Sequence, residues 1–407
     1  MKIGFFSSSE LSSTKSISTI TRCGQCGLYK TCLSPKMKWT GKGQKKILII
    51  AEAPGETEDR KGIQLIGDAG QHLRRALRSR GVEIDLDKDC WKTNACICRP
   101  PGNKVPDNKI IDACRPNLIK TIKELKPRTI ILLGKVALDS FIPMIWKEDV
   151  GQVGRWVGWN IPCQKYNAWV CPSWHPSFLM RNQNEVEERL SRQHLKIACH
   201  HKEKPWKEVP NYKGQVEVLD HSSAAVKAIK SFEWGRGMFA FDYETNCLKP
   251  EETGSEIVCC SISNGDRTIA FPWTDRTSEA MASLLKTDIP KIGANIKFED
   301  RWTKKKLGFH IRKWYWDTVL AAHVLDNRPG ITGVKFQTFI QLGAESYDDQ
   351  VKPFLQSKGS SRLNRIREAD LRDVMLYNGL DSLYEYLIAI KQMKLMKKQW
   401  KRIEAQK

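Results

Sequence analysis

ILIIAEAPG, residues 47–55, sets five consecutive apolar side chains directly ahead of a loop of small residues. Continuous rather than alternating apolarity over strand length marks a strand covered on both faces, as in a parallel sheet. The run Thr129–Leu133 repeats the pattern, and Ala168–Cys171 supplies a third strand that ends at a Pro-containing turn. Helical patterns such as Ala69–Arg80 alternate with these runs, so the first half of the chain reads as a layered α/β domain. Each strand is followed at once by loop chemistry: EAPGE, then GK, then PSWHPS. Ligands of open α/β sheets bind at the carboxyl ends of the strands, so these loops are expected to converge.

Outward from this core, 407 residues exceed one typical domain, and 41% hydrophobic with 28% charged residues is a globular balance. Two packed domains are therefore expected, and collagen-like, coiled-coil and low-complexity classes are excluded. No apolar run approaches the roughly 18 residues of a membrane span. The first residues, MKIGFFSSSELSSTKS, also lack the apolar stretch of about 7 to 15 residues of a signal peptide. A cytoplasmic chain with no membrane partner is the expectation, with Ser7–Thr19 as a mobile leader. Lys and Arg number 67 against 46 Asp and Glu, and the resulting charge of +21 makes a polyanion the expected partner.

The segment HHKEKPWKEVPNYK, residues 200–213, is polar and basic, carries two prolines and has no apolar period. It separates a first domain, 1–204, from a second, 216–407, with 205–215 as the linker. From Val216 a second α/β pattern begins: a helix around Ala224–Phe232, then a strand Met238–Phe241 running into acidic residues. Several later helices end in the basic amphipathic stretch KQMKLMKKQWKRIEAQK.

Disulfides rarely persist in the cytoplasm, so the 13 cysteines read as metal ligands, core residues or redox groups. Cys259 and Cys260, inside the apolar stretch Ile257–Ile262, read as core. Cys23-x-x-Cys26, with Cys32 following, is matched downstream by Cys96, Cys98 and Cys114 in ACICRPPGNKVPDNKIIDACRPNL, residues 95–118. Two close thiolates and two distant ones can close a tetrahedral sulfur site suited to zinc or to an iron–sulfur cluster, and geometry alone does not choose between them.

The motifs LIIAEAPGETED, GDAGQHLRRAL, TNACICRPPGN, ACRPNL, LLGKVAL and WHPSFLMR follow one another between Cys23 and Arg181. In this order and spacing the stretch resembles the iron–sulfur class of uracil-DNA glycosylases, family 4. That resemblance implies a three-layer α/β fold and a 4Fe-4S cluster held by Cys23, Cys26, Cys98 and Cys114. Cys32 and Cys96 are extra thiols, with Cys32 the first substitute.

Excising a base requires flipping the nucleotide into a pocket that reads its Watson–Crick edge, then stabilising the anionic leaving group. The resemblance assigns the reading to Asn94, whose amide offers a donor and an acceptor to uracil O4 and N3–H. It assigns His175 as donor to O2 as charge develops. Glu52, Ala53, Pro54 and Gly55 form a loop whose small residues let backbone approach sugar and phosphate. Ala53 stands where other glycosylase classes keep a carboxylate that orients water. Glu58 reads either as a water-positioning group or as an exposed loop carboxylate. Leu179, Met180 and Arg181 are expected to supply the wedge that fills the vacated stack. The family's Gly-x-Pro-Phe is replaced by Gly62-Ile63-Gln64-Leu65, so Leu65 stands where a ring stacks on uracil. Stacking is worth about 1–3 kcal/mol per base, so excision is expected to be weak and Leu65→Phe to raise it.

In FAFDYET, residues 239–245, an apolar strand delivers Asp242 and Glu244 two residues apart, hence to one face. Paired carboxylates repel unless cations neutralise them, which is how a metal site for phosphoryl chemistry is made. Tyr377-x-x-x-Asp381 lies in a helical pattern that puts phenol and carboxylate on one face, and NIKFED, residues 295–300, adds acids beside an Asn. With WDTVLAAHVLDN and GVKFQTFIQLG, the stretch Val216–Ile390 resembles the DEDD exonucleases of Tyr subtype found in family A DNA polymerases.

This second resemblance implies a ribonuclease H-like fold. It also implies two Mg2+ (or Mn2+) ions about 3.5–4 Å apart on Asp242, Glu244 and Asp381, with Tyr377 orienting water. Register assigns the remaining acid to Glu299, with Asp300 as the alternate. Together the two resemblances imply a bacteriophage-like DNA replication or repair protein: a 3′–5′ exonuclease joined to a glycosylase-like domain. That domain either excises uracil weakly or is a non-catalytic DNA-binding or polymerase-docking module. Only 26 residues follow Asp381, short of a polymerase palm, so a separate replicative polymerase chain is the expected partner besides DNA.

Overall fold

The computed structural model describes residues 20–233, 237–357 and 362–404, with side chains as far as Trp400. The leader expected at Ser7–Thr19 lies outside the described residues. Two units meet between Lys207 and Glu208.

The first unit opens on one helical turn, α1 (Cys23–Cys26), in which i,i+3 spacing puts both cysteines on one side. There follow β1 (Ile47–Ala51), α2 (Glu56–Lys61), α3 (Asp68–Arg78), β2 (Cys90–Asn94), α4 (Asn108–Leu125) and β3 (Thr129–Leu133). The unit ends with α5 (Gly134–Phe141), β4 (Ile161–Cys163), β5 (Ala168–Ser173), α6 (Pro176–Asn182) and α7 (Glu185–Cys199). Its sheet runs β2-β1-β3-β5-β4, parallel except for β4 against β5. β1 and β3 are buried at every residue, which explains their unbroken apolarity. On one face Ile47, Ile49 and Leu133 pack against Leu73 and Leu77 of α3 and Leu195 of α7. The other face carries α5 with α4 behind it, giving three layers. Because β1, β2, β3 and β5 are parallel, Glu52, Asn94, Gly134 and His175 emerge at the same edge of the sheet.

The second unit holds β6 (Val216–Val218), α8 (Ser222–Glu233), β7 (Phe239–Thr245), β8 (Ile257–Ser263), β9 (Thr268–Pro272) and α9 (Asp275–Leu285). It continues with β10 (Lys291–Gly293), α10 (Lys297–Leu307), β11 (Trp314–Asp317), α11 (Thr318–Leu325), α12 (Val334–Leu342) and α13 (Leu371–Glu404). The sheet order is β11-β10-β7-β8-β9-β6. An antiparallel meander, β7-β8-β9, is extended by β10 and β11 parallel to β7, the ribonuclease H-like arrangement. β7 is longer than Met238–Phe241: its acids lie inside the ladder, Asp242 opposite Ser261 and Glu244 opposite Cys259. Phe239, Phe241 and Tyr243 enter the core under α8, α9 and α10. Period-two alternation therefore turns Asp242 and Glu244 to the opposite face, which α13 covers. Cys259 and Cys260 are fully buried in β8. Among the described residues, no helix is long and apolar enough to cross a membrane.

Candidate active sites

Asp242 and Glu244 of β7 meet Asp381 of α13, and one oxygen from each lies within 4.8 Å of the others. Burial, and the charge of the neighbouring acids, push Asp242 and Glu244 well above the usual carboxylate range. Burial raises Asp381 to about 6, although Tyr347 and Tyr377 both hydrogen-bond to it. Tyr347 donates to Asp381 Oδ1 and stacks on Tyr377 at 5.6 Å between ring centroids. Asn378 donates to Asp242 Oδ2 at 2.7 Å. Lys335 of α12 is paired with Asp348 at 2.5 Å, lies over the Tyr377 ring and counters the charge on Glu244 and Asp381.

Helix phase separates the two acids of motif NIKFED. Asp300 is turned away: one oxygen accepts from Ile311 N at 2.8 Å and the other meets His310 Nδ1 at 2.7 Å. Glu299 is 2% exposed, is pushed up by burial and by Asp242, and its Oε2 has no hydrogen-bond partner among the described residues. Asp317 fixes the approach to α10 by accepting from Asn295 N and Ile296 N, both at 3.2 Å. Asn378, Tyr347, Lys335 and the buried Glu385 were not legible as site residues. Only Asn378 and Glu385 carried a signal, lying one residue before the Tyr377–Asp381 interval's midpoint and one turn after its end.

In the first unit Cys23, Cys26, Cys96, Cys98 and Cys114 line one cavity. Of the two extra thiols, Cys96 lies on this wall, its N–H bound to the Glu52 carbonyl at 3.0 Å, and Cys32 is hydrogen-bonded to Cys98. Cys98 Sγ accepts from Lys36 N at 3.2 Å, and Cys114 Sγ from Ile97 N at 3.4 Å and Asn117 Nδ2 at 3.7 Å. A hydrogen bond from Cys96, joined by those from Ile97 N and Asn117 Nδ2, brings the Cys114 thiol down to about 7 against the effect of burial. Among the described residues no three cysteine sulfurs lie within 4.8 Å of one another. N–H donors aimed at cysteine sulfurs suit thiolates that ligate a metal centre. Asp59 secures the loop after Cys32, accepting from Leu33 N at 3.1 Å and Ser34 N at 2.8 Å.

His175 caps α6: Ser177 N donates to its Nδ1 at 3.2 Å, so the neutral ring carries its proton on Nε2. Burial, then the charge of Arg181, hold His175 down to about 4. Burial raises Glu52, and Arg181 partly offsets this. Gly134, at φ +80, lets the β3 loop reach His175; a Cβ there would lie 2.8 Å from His175 Cβ. Asn94 is 2% exposed; its Nδ2 donates to Gln64 Oε1, and its Oδ1 has no partner among the described residues.

Three expectations for this site are corrected. Glu58 is not an exposed loop carboxylate. It is buried, and its Oε1 accepts from Ile66 N at 2.9 Å and Gly67 N at 2.7 Å, clamping the loop between α2 and α3. Leu65 offers no surface to a base: at φ +52 its side chain turns into the core beside Leu73 and is 5% exposed. Leu179 is 4% exposed because it shares the inner face of α6 with Pro176, and the neighbouring Met180 is 36% exposed. Ala53, Pro54 and Gly55 form the turn between β1 and α2, with Pro54 buried.

The family model described as the uracil DNA glycosylase superfamily matches residues 38–209. A type-4 uracil-DNA glycosylase of Pyrobaculum aerophilum is 34% identical over 172 residues, 40% of this chain and 81% of that protein. A DNA polymerase of Bacillus phage SP01 is 23% identical over 363 residues, 80% of this chain and 38% of that protein. Among solved structures, Escherichia coli RNase D, an exoribonuclease, is 14% identical, covers 45% of each chain and has a TM-score of 0.34.

Proposed function

Because the chain belongs, through its first unit, to the uracil-DNA glycosylase superfamily with a type-4 enzyme among its relatives, we propose that it processes DNA by two chemistries. The second unit is a 3′–5′ exonuclease of the proofreading type, and the first excises uracil weakly. One observation carries the exonuclease reading: three acids from β7 and α13 bring oxygens within 4.8 Å of one another.

Mg2+ or Mn2+ held by Asp242, Glu244 and Asp381 would supply an activated water and charge stabilisation for phosphodiester hydrolysis. Asn378 and Tyr347 hold Asp242 and Asp381 in orientation. Tyr377 presents its phenol beside Asp381 to orient water, and Glu299 adds charge next to Asp242. Lys335 limits repulsion within the cluster. The direction of digestion and the preference for DNA rest on the motif resemblance.

In the first unit, neutral His175 donates from Nε2 to uracil O2 as the base departs, and Asn94 reads O4 and N3–H. His175 stays neutral because protonation in its buried setting is unfavourable. Arg181, exposed and near enough for its charge to act on Glu52 and His175, would meet a backbone phosphate. Cys23, Cys26, Cys98 and Cys114 would hold a 4Fe-4S cluster, and those four thiolates come from the segment before β1, the stretch after β2 and α4. Leu65 in the core favours a second reading for this unit, a DNA-binding or polymerase-docking module without excision. The phage polymerase alignment spans most of both units, which supports work beside a replicative polymerase.

A labelled single strand containing one uracil, incubated with and without Mg2+, separates these activities. Abasic sites in EDTA report excision, and 3′ shortening that appears only with Mg2+ reports the exonuclease. No shortening in Mg2+ removes the exonuclease reading; no abasic sites leave the first unit as a binding module.

A further inference from the structure

We infer that Gln64 sets the base specificity of the first unit by fixing which edge Asn94 presents. The inference deepens the excision reading above and rests on it. Gln64 is fully buried, at a position where the resembling family carries proline. Its Nε2 donates to the backbone carbonyl of Lys38 at 3.2 Å. A carbonyl can only accept, so the backbone dictates which way the Gln64 amide points. Oε1 of Gln64 therefore faces Asn94 and accepts from its Nδ2 at 2.5 Å. That oxygen also only accepts, so Asn94 must turn its NH2 toward Gln64.

What remains on Asn94 is one N–H donor and the acceptor Oδ1, which is buried with no partner among the described residues. One donor beside one acceptor complements the imide edge of uracil, where O4 accepts and N3–H donates. Cytosine opposes this arrangement at both positions, its amino group meeting a donor and its bare N3 meeting an acceptor. A reversed Asn94 amide would invert the preference, and no other described contact prevents the reversal. Proline or an apolar side chain at 64 could not make the bond, so the relay from Lys38 through Gln64 to Asn94 depends on glutamine at this position. Gln64 is thus a positioning residue, acting on the base through Asn94.

The test uses the full-length protein in EDTA, which silences metal-dependent digestion. Its probe is a fluorescent single strand bearing one 2′-fluoroarabino-uridine, whose glycosidic bond resists cleavage, compared by anisotropy with a strand bearing cytosine at that position. The wild type should bind the uracil strand about tenfold more tightly, near the low end for one good bidentate base contact. Gln64→Met, of equal length with only a weakly accepting thioether, frees the Asn94 amide to take either orientation and should bring the two affinities to parity. Gln64→Glu, whose oxygen still accepts from Asn94, should keep the preference. A folded Met variant with the full preference, or a folded Glu variant without it, overturns the inference while leaving the excision reading intact. Absence of any preference in the wild type overturns the reading of uracil by Asn94, and the role of Gln64 with it.

Discussion

Asp381 shows how strongly the fold loads its acids. Buried beside two others, it titrates near 6 although two phenols hydrogen-bond to it, whereas an unfolded aspartate titrates near 3.9. Across that interval the folded chain keeps a proton that the unfolded chain has released. The associated stability is fully present below the lower value and is lost as pH rises through the upper one. In EDTA, the melting temperature of the second unit should therefore fall between about pH 4 and pH 7, and Mg2+ should restore it by binding the ionised cluster. A melting temperature that rises over this range in EDTA would refute the assignment. Asp242, Glu244 and Asp381 were legible because spacings of two in a strand and four in a helix leave a signature. Tyr347 and Lys335 were not, since packing brings them in from segments with no motif of their own.

At the scale of elements, the first unit depends on four parallel strands delivering their loops to one edge, and Gly134 is where two of those loops touch. A methyl group there would meet His175 Cβ at 2.8 Å on a backbone with φ +80. Gly134→Ala should cost about 1–3 kcal/mol, visible as a lower midpoint in urea; an unchanged midpoint would mean that the contact is loose. Leu65→Phe is expected to destabilise by about 1–3 kcal/mol through overpacking. Because Leu65 lies in the core, the substitution should not raise uracil release, and a clear gain would show that the loop can turn outward. The parallel strands were readable from their unbroken apolar runs. The inward turn of Leu65 was not, because one loop residue has no period and its positive φ lies just ahead of residues that the Glu58 clamp fixes.

For the whole molecule, the polar stretch 205–215 reads as a linker, and the chain divides into two compact units between Lys207 and Glu208. The cysteine spacing pointed to a cluster only through resemblance, since the N–H donors to Cys98 and Cys114 come from residues that the chain brings together in three dimensions. Freshly purified protein should be brown, absorb broadly around 400 nm and contain about four irons per chain; zinc without iron or sulfide would contradict this. DNA binding should change little when the catalytic acids are altered, because a net charge of +21 attracts the phosphate backbone independently of them. The most direct measurement is digestion of a 3′-end by wild type, Tyr377→Phe and Asp242→Ala in Mg2+, with products resolved as mononucleotides. Wild type should release 5′-monophosphates, Tyr377→Phe should be slower, and Asp242→Ala should be nearly inert while still binding the strand. Digestion by Asp242→Ala as fast as by wild type would contradict the carboxylate site and the function built on it.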